Sequence, residues 1–128
     1  MPKEIISTKE APAAIGPYSQ AVKVGDIVFV SGQIPLDPVT GEMVPGDVEA
    51  QTKRVMENLR AVLKAAGAGF EHVVRSTIYL TNLGDFAKVN AIYGSYFPNE
   101  PPARATVQVS ALPRGSQVEI DVVAHLGA

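Results

Sequence analysis

Three residues in the last third of the chain carry side chains suited to work on a small anion: Arg104, Thr106 and Glu119. Arg104 lies where a proline-stiffened loop gives way to Ala103-Arg104-Ala105-Thr106-Val107. Strand alternation places Arg104, Thr106 and Gln108 on one face of that run and Ala105, Val107 and Val109 on the other. The run Gln117 to Ala124 alternates in the same way, with Val118, Ile120, Val122 and Ala124 facing a core and Glu119 and Asp121 facing away. Leu112-Pro113-Arg114-Gly115-Ser116 between them carries turn residues, which predicts a hairpin. A hairpin with matched core faces brings Arg104, Thr106 and Glu119 onto one common face. A guanidinium beside a carboxylate and a hydroxyl suits a small substrate bearing a carboxylate of its own. The same spacing fits a plain cross-strand ion pair of Arg104 with Glu119 or Asp121, worth about 0–1 kcal/mol on a solvated face.

Other chemistries find little support. Cysteine is absent, which removes disulfides, thiolate metal sites and a cysteine nucleophile. His72 and His125 have no partner at metal-ligand spacing, so no metal site is expected and both read as ordinary histidines. There is no Gly-rich phosphate loop and no Gly-x-Ser-x-Gly elbow. What remains is Arg, Glu, Tyr, Thr, Asn and backbone groups. That set favours an already reactive substrate over cleavage of a strong bond. The net charge of −2, with no block of like charges, speaks against a nucleic-acid partner. No apolar run approaches the ~20 residues of a membrane span. Met1-Pro2-Lys3-Glu4 lacks the apolar core of a signal peptide, so a soluble, cytoplasmic protein is expected.

The elements that must position these residues follow from periodicity. The 128 residues, 46% hydrophobic, suffice for one domain, 1–128, and are too few for two ordinary ones. Ile5-Ile6-Ser7 reads as a short strand. Ala11 to Gln20, with two prolines and a glycine, reads as a loop ending near Tyr18, an aromatic wall with a hydroxyl tip. Ala21–Val24 and Ile27–Gly32 are strands joined at Gly25-Asp26. The second is apolar on both faces and is expected to be covered on both. Gly32, just after Ser31, marks a close backbone approach or a bulge. Asp47 caps an amphipathic helix running to Ala66, and Gly67 ends it. Val73–Leu80 is a strand, with Val74, Ser76, Ile78 and Leu80 on one face. Asp85 is expected to cap a second helix, Phe86 to Phe97, with Asn90 near the edge of its apolar stripe. Prolines 98, 101 and 102 stop that helix.

The expected architecture is α+β, one mixed or antiparallel sheet with two helices on one face. The other face would carry Ile27, Phe29, Thr77, Tyr79, Arg104, Thr106, Glu119, Asp121 and Val123. That mixture is too apolar for open water, and no helix remains to cover it. Self-association through it is expected, with closed cyclic symmetry.

Ala11-Pro12-Ala13-Ala14-Ile15-Gly16-Pro17-Tyr18-Ser19-Gln20-Ala21, Val30-Ser31-Gly32-Gln33-Ile34-Pro35, and Pro102-Ala103-Arg104-Ala105-Thr106 with Val118-Glu119-Ile120 together resemble the signatures of the RidA/YjgF family of enamine/imine deaminases. The similarity covers nearly the whole chain. It implies a chorismate-mutase-like fold and a homotrimer with pockets between neighbouring subunits. It implies hydrolysis of 2-imino acids such as 2-iminopropanoate and 2-iminobutanoate to 2-oxo acids and ammonia, with no cofactor. By the resemblance Arg104 binds the substrate carboxylate and Glu119 holds the hydrolytic water. Tyr18, Ser31, Gly32, Asn90, Ala105 and Thr106 fall on pocket positions. The Pro98-Asn99-Glu100-Pro101 loop departs from relatives and leaves the pocket rim open. Relatives have also been described as ribonucleases or translation inhibitors, so an RNA-directed role is the first rival. A non-catalytic binder of small carboxylates or partner proteins is the second. A chorismate rearrangement rests on fold analogy alone.

Overall fold

The structure is a computed structural model and describes residues 2–128. Met1, the first residue of the charged start read above, lies outside the described residues. Six strands and two helices follow in the order β1 (Lys3–Ile6), β2 (Ala21–Val24), β3 (Ile27–Gln33), α1 (Val48–Ala65), β4 (Val73–Leu80), α2 (Phe86–Ser95), β5 (Ala103–Gln108) and β6 (Val118–His125). They form one mixed sheet ordered β1-β2-β3-β6-β4-β5. All pairs are antiparallel except β4 with β5, which run parallel. Both helices pack on one face of this sheet, as expected.

The helix α1 forms where the sequence places it. Asp47 Oδ1 accepts from the Ala50 N–H at 3.0 Å, satisfying a first-turn donor. Val55, Met56, Leu59, Val62 and Leu63 are fully buried against the sheet. Each such aliphatic side chain contributes about 1.5–3 kcal/mol by burial. Gly67 has φ +81°, a left-handed conformation that glycine adopts without a Cβ penalty. Three polar side chains are buried on the same helix, and each is hydrogen-bonded. Asn58 Nδ2 donates to the carbonyls of Leu36 (3.0 Å) and Ile34 (3.3 Å). Gln51 Oε1 accepts from the Gln117 N–H at 2.9 Å, and Thr52 donates to the Val48 carbonyl. Asn58 and Gln51 therefore fix the exit of β3 and the entry of β6, the two segments that flank Glu119.

Four local expectations are corrected. First, β5 and β6 form no hairpin, because β4 lies between them. A parallel β4–β5 pair needs a crossover, and α2 supplies it. Second, the register then puts Arg104 and Thr106 beside Ser76 and Ile78, on the helix face. Glu119 and Asp121 lie beside Tyr79 and Thr77, on the open face, together with Ala105 and Val107. Valine and alanine do not mark the core side of β5. The open face is itself apolar, so hydrophobicity does not distinguish the two sides of this edge strand. Third, a register shift between Val73 and Arg75 turns Val73 into the core and leaves Val74 exposed. A bulge inserts one residue and inverts the alternation beyond it. Fourth, Asp85 makes no side-chain cap. Asn82 Oδ1 instead accepts from the Gly84 N–H at 2.8 Å, and a one-turn 3₁₀ helix, Leu83–Asp85, leads into α2. The helix also stops at Ser95, two residues short of the expected end, ahead of Pro98.

Ile27 and Phe29 point away from the helices, and Phe29 is 50% exposed. The cover expected for the second face of β3 is not supplied by this chain. In cross-strand register, Ile5, Val22, Phe29 and Val123 form one continuous row on the open face.

Candidate active site

Arg104 emerges from β5 on the helix face and meets α2. Its Nη1 donates to Asn90 Oδ1 at 2.6 Å. The guanidinium carbon lies 5.2 Å from the centroid of Tyr93 and 5.4 Å from that of Phe86. Both contacts fall within the range at which a ring face attracts a cation. Residues 86, 90 and 93 recur at helical spacing, so one face of α2 supplies both rings and the amide. Tyr93 is itself locked, its hydroxyl 2.9 Å from Ser76 Oγ in the core. The guanidinium is thus held at a fixed place while most of its five N–H groups remain free for an anion. An open groove of about 420 Å³ lies over it, lined by Asn90, Tyr93, Gly94, Phe97, Pro102 and Arg104 among others.

Glu119 belongs to a different cavity. The Ser31-Gly32 pair forms the bulge in β3, since Val30 pairs with Val122 and Gln33 already pairs with Ile120. The Glu119 carboxylate rests against Gly32, where a Cβ would collide with it. Bulge and close backbone approach therefore coincide at Gly32. Ser31 Oγ donates to the Ser19 carbonyl at 2.5 Å, and the Ser31 N–H donates to the Gln20 carbonyl at 2.9 Å. These bonds bring the Tyr18 loop against the bulge. A cleft of about 590 Å³ results, whose walls include Tyr18, Ser31, Gly32, Ile34, Arg114 and Glu119.

The Glu119 carboxyl is pushed above its ordinary range, first by burial and then by the negative charge of Asp121. Asp121 Oδ2 accepts from the Tyr79 hydroxyl at 3.0 Å, and Tyr79 is the cross-strand neighbour of Glu119. The Tyr79 hydroxyl is raised by burial and by that bond.

The structure therefore groups the sequence-derived residues in two sets. Tyr18, Ser31, Gly32 and Glu119 share one cleft. Arg104 and Asn90 share a groove on the other side of the sheet. Thr106 follows Arg104 on the helix face, and its Oγ1 is a buried side-chain oxygen without a hydrogen-bond partner among the described residues. Ala105 lies between them on the open face, half-buried. His72 and His125 each accept a backbone N–H at Nδ1, from Gly69 and Gly127 at 3.0 Å, and act as local turn caps.

Four contributors are not evident from sequence patterns. Gln20, 3% exposed, donates to the carbonyls of Thr8, Ala11 and Pro12 and accepts from the Thr8 N–H. It folds the loop that carries Tyr18. Phe86 and Tyr93 fit the apolar stripe of α2, and only their spacing around Asn90 hints at a second use. Arg114 has the context of a turn residue, and nothing in the sequence places it on the Glu119 cleft.

The family model described as endoribonuclease L-PSP matches residues 8–126. The chain belongs to the RidA (endoribonuclease L-PSP) family. Among its RidA relatives, a protein called DfrA from Myxococcus xanthus is 68% identical over 126 residues, covering 97% of this chain and 96% of that one. The 2-iminobutanoate/2-iminopropanoate deaminase of Mus musculus is 52% identical, covering 98% of this chain and 93% of that protein. The crystal structure of YyfA from Yersinia pestis, described as a protein of unknown function of the conserved Rid family, superposes with a TM-score of 0.95 at 50% identity, over 97% of this chain and 99% of that one. The RidA resemblance carried by the three motifs is thereby confirmed, and so is the fold it implied. Among the described residues, no helix is long and apolar enough to cross a membrane.

Proposed function

We propose that this protein hydrolyses reactive 2-imino acids, such as 2-iminopropanoate and 2-iminobutanoate, to the 2-oxo acids and ammonia. The observation that carries this reading is Arg104, a guanidinium clamped by Phe86, Tyr93 and Asn90 with its remaining donors directed at a groove. A planar fork of N–H groups matches a carboxylate through two parallel bonds. The deaminase name of the murine relative supports the same substrate class.

Arg104 and Glu119 cannot act on one small molecule within a single copy, since the sheet lies between them. The uncovered apolar face supplies the remedy. In a closed ring of three copies, the Arg104 groove of one faces the Glu119 cleft of its neighbour. Arg104 holds the carboxylate, which fixes the adjacent imine carbon. Glu119 takes a proton from water as the oxygen adds to the carbon of the protonated imine, which gives the neutral carbinolamine. Glu119 then passes that proton to the amine nitrogen and takes the proton of the new hydroxyl as the C–N bond breaks, so the carbonyl forms, ammonia leaves and the proton on Glu119 goes to solvent. The raised carboxyl of Glu119 makes it a stronger base than a solvated glutamate. The Thr106 hydroxyl and the Gly32 carbonyl are placed in this reading to position the water or the imino nitrogen.

The test is semicarbazone or ammonia formation from freshly generated 2-iminopropanoate and 2-iminobutanoate. Wild type should accelerate both, and Arg104→Ala should not, while remaining folded. Near-normal turnover by a folded Arg104→Ala rejects the role. The description of the family model keeps RNA cleavage as the rival reading. Degradation of RNA by the pure protein, lost in Arg104→Ala, would favour it.

A further inference from the structure

Within one copy the Glu119 cleft offers more room than 2-iminopropanoate fills. Its volume is about 590 Å³. 2-Iminopropanoate has only about six non-hydrogen atoms, whereas pockets of this size serve ligands several times larger. The charged side chains on the cleft walls are Glu119 and Arg114. The proposed reaction uses the first and leaves the second without a task.

Arg114 is held where it is by two features. Its Nη1 donates to the Gly41 carbonyl at 3.0 Å, which ties the Pro113–Gly115 turn to the loop after β3. Its backbone is left-handed, φ 60° and ψ 22°, a conformation that disfavours any residue with a Cβ. Gly115, the next residue, is left-handed too, with φ +73°. The turn would form more easily with glycine or asparagine at 114. The guanidinium has no ion-pair partner within 4 Å among the described residues, so one bond to a carbonyl leaves its charge uncompensated.

We propose that Arg114 is a second anion-binding point of this cleft, so that the site accepts 2-imino acids whose side chain ends in a carboxylate. The inference rests on the deaminase reading above and names a substrate class for that same site. The α-carboxylate goes to Arg104 of the adjoining copy, as before. The side-chain methylenes lie along Pro12, Ala13, Ile15, Ile34 and Leu36, which make the apolar wall of the cleft. The terminal carboxylate takes the free N–H groups of Arg114. Without that cation, a second carboxylate would enter a cleft whose other charge is the acid Glu119. The arginine converts a repulsive site into a receptive one.

The experiment compares kcat/KM on three fresh substrates: 2-iminopropanoate, the unbranched alkyl 2-iminohexanoate, and 2-iminoglutarate. Wild type, Arg114→Ala and Arg114→Gly are each measured. Arg114→Gly relieves the left-handed backbone while removing the guanidinium, so it separates charge from turn stability. Both variants should lose about tenfold more on 2-iminoglutarate than on the two uncharged side chains. An equal loss on all three substrates, in both variants, assigns Arg114 a purely structural role and overturns the proposal. So does wild-type turnover of 2-iminopropanoate with an unchanged 2-iminoglutarate ratio in the variants. Wild type inactive on every imine would instead defeat the deaminase reading itself.

Discussion

Arg104 and Glu119 stand on opposite faces of one sheet, Arg104 level with Ser76 and Glu119 level with Tyr79 on the same strand β4. If they meet across copies, two inactive variants should repair each other. Arg104→Ala and Glu119→Gln protomers, unfolded together in equal amounts and refolded, should form rings in which about one site in four has both groups intact. Turnover near a quarter of wild type is expected in the semicarbazone assay. If both groups act within one copy, the mixture stays as inactive as its parts.

The raised Glu119 carboxyl makes two pH predictions. Activity needs the ionised acid, so the acid limb of the kcat/KM profile should lie above the ordinary glutamate value of 4.5. Asp121→Asn should move that limb to lower pH, though only in part, because burial is the larger cause.

The same shift sets a stability trend. A carboxyl whose folded value is raised favours its protonated form in the folded state. Its contribution is therefore fully present below pH 4.5 and is lost as pH rises through the folded value. Glu119→Gln should accordingly be more stable than wild type at neutral pH, with the difference vanishing below pH 4.5. Denaturant midpoints measured across this range provide the check.

Gly32→Ala should separate activity from folding. The new Cβ meets the far end of the Glu119 side chain, which can swing aside. Stability should change by less than about 1 kcal/mol, while turnover falls because the base is displaced. A variant with normal turnover would show that the Glu119 position seen here is not required.

Gln20→Leu should act in the opposite way. It deprives the Thr8, Ala11 and Pro12 carbonyls and the Thr8 N–H of one shared partner. A loss of about 2–3 kcal/mol in denaturant unfolding is expected. Protease nicking within residues 8–20 should increase as the Tyr18 loop loosens.

Periodicity is sufficient for α1 because Asp47, a buried stripe and Gly67 all agree on one answer. It is sufficient at Ser31-Gly32 because a glycine inside a strand pattern signals a bulge or a close backbone approach, and here both occur together. It fails at β5, where alternation is clear but its sign is not. No residue of that strand is buried, the side turned away from the helices is as apolar as the other, and only pairing with Ser76 and Tyr79 decides which side Arg104 takes. The hairpin expectation fails for a related reason. Turn residues at 112–116 show that the chain bends, not which strand it joins. The RidA motifs locate Arg104 and Glu119 as positions, and their separation by the sheet becomes visible only in three dimensions.

The final strand, β6, sits at the middle of the sheet between β3 and β4. During synthesis, the β1–β3 meander and the β4–β5 pair therefore lack a common partner until residues 118–125 have left the ribosome. Until then the nascent chain carries two unfinished sheet edges, each able to capture a strand from another molecule. Closure of the sheet waits for β6 in this topology, and chaperone scarcity should divert the protein to aggregates rather than to a slow monomer.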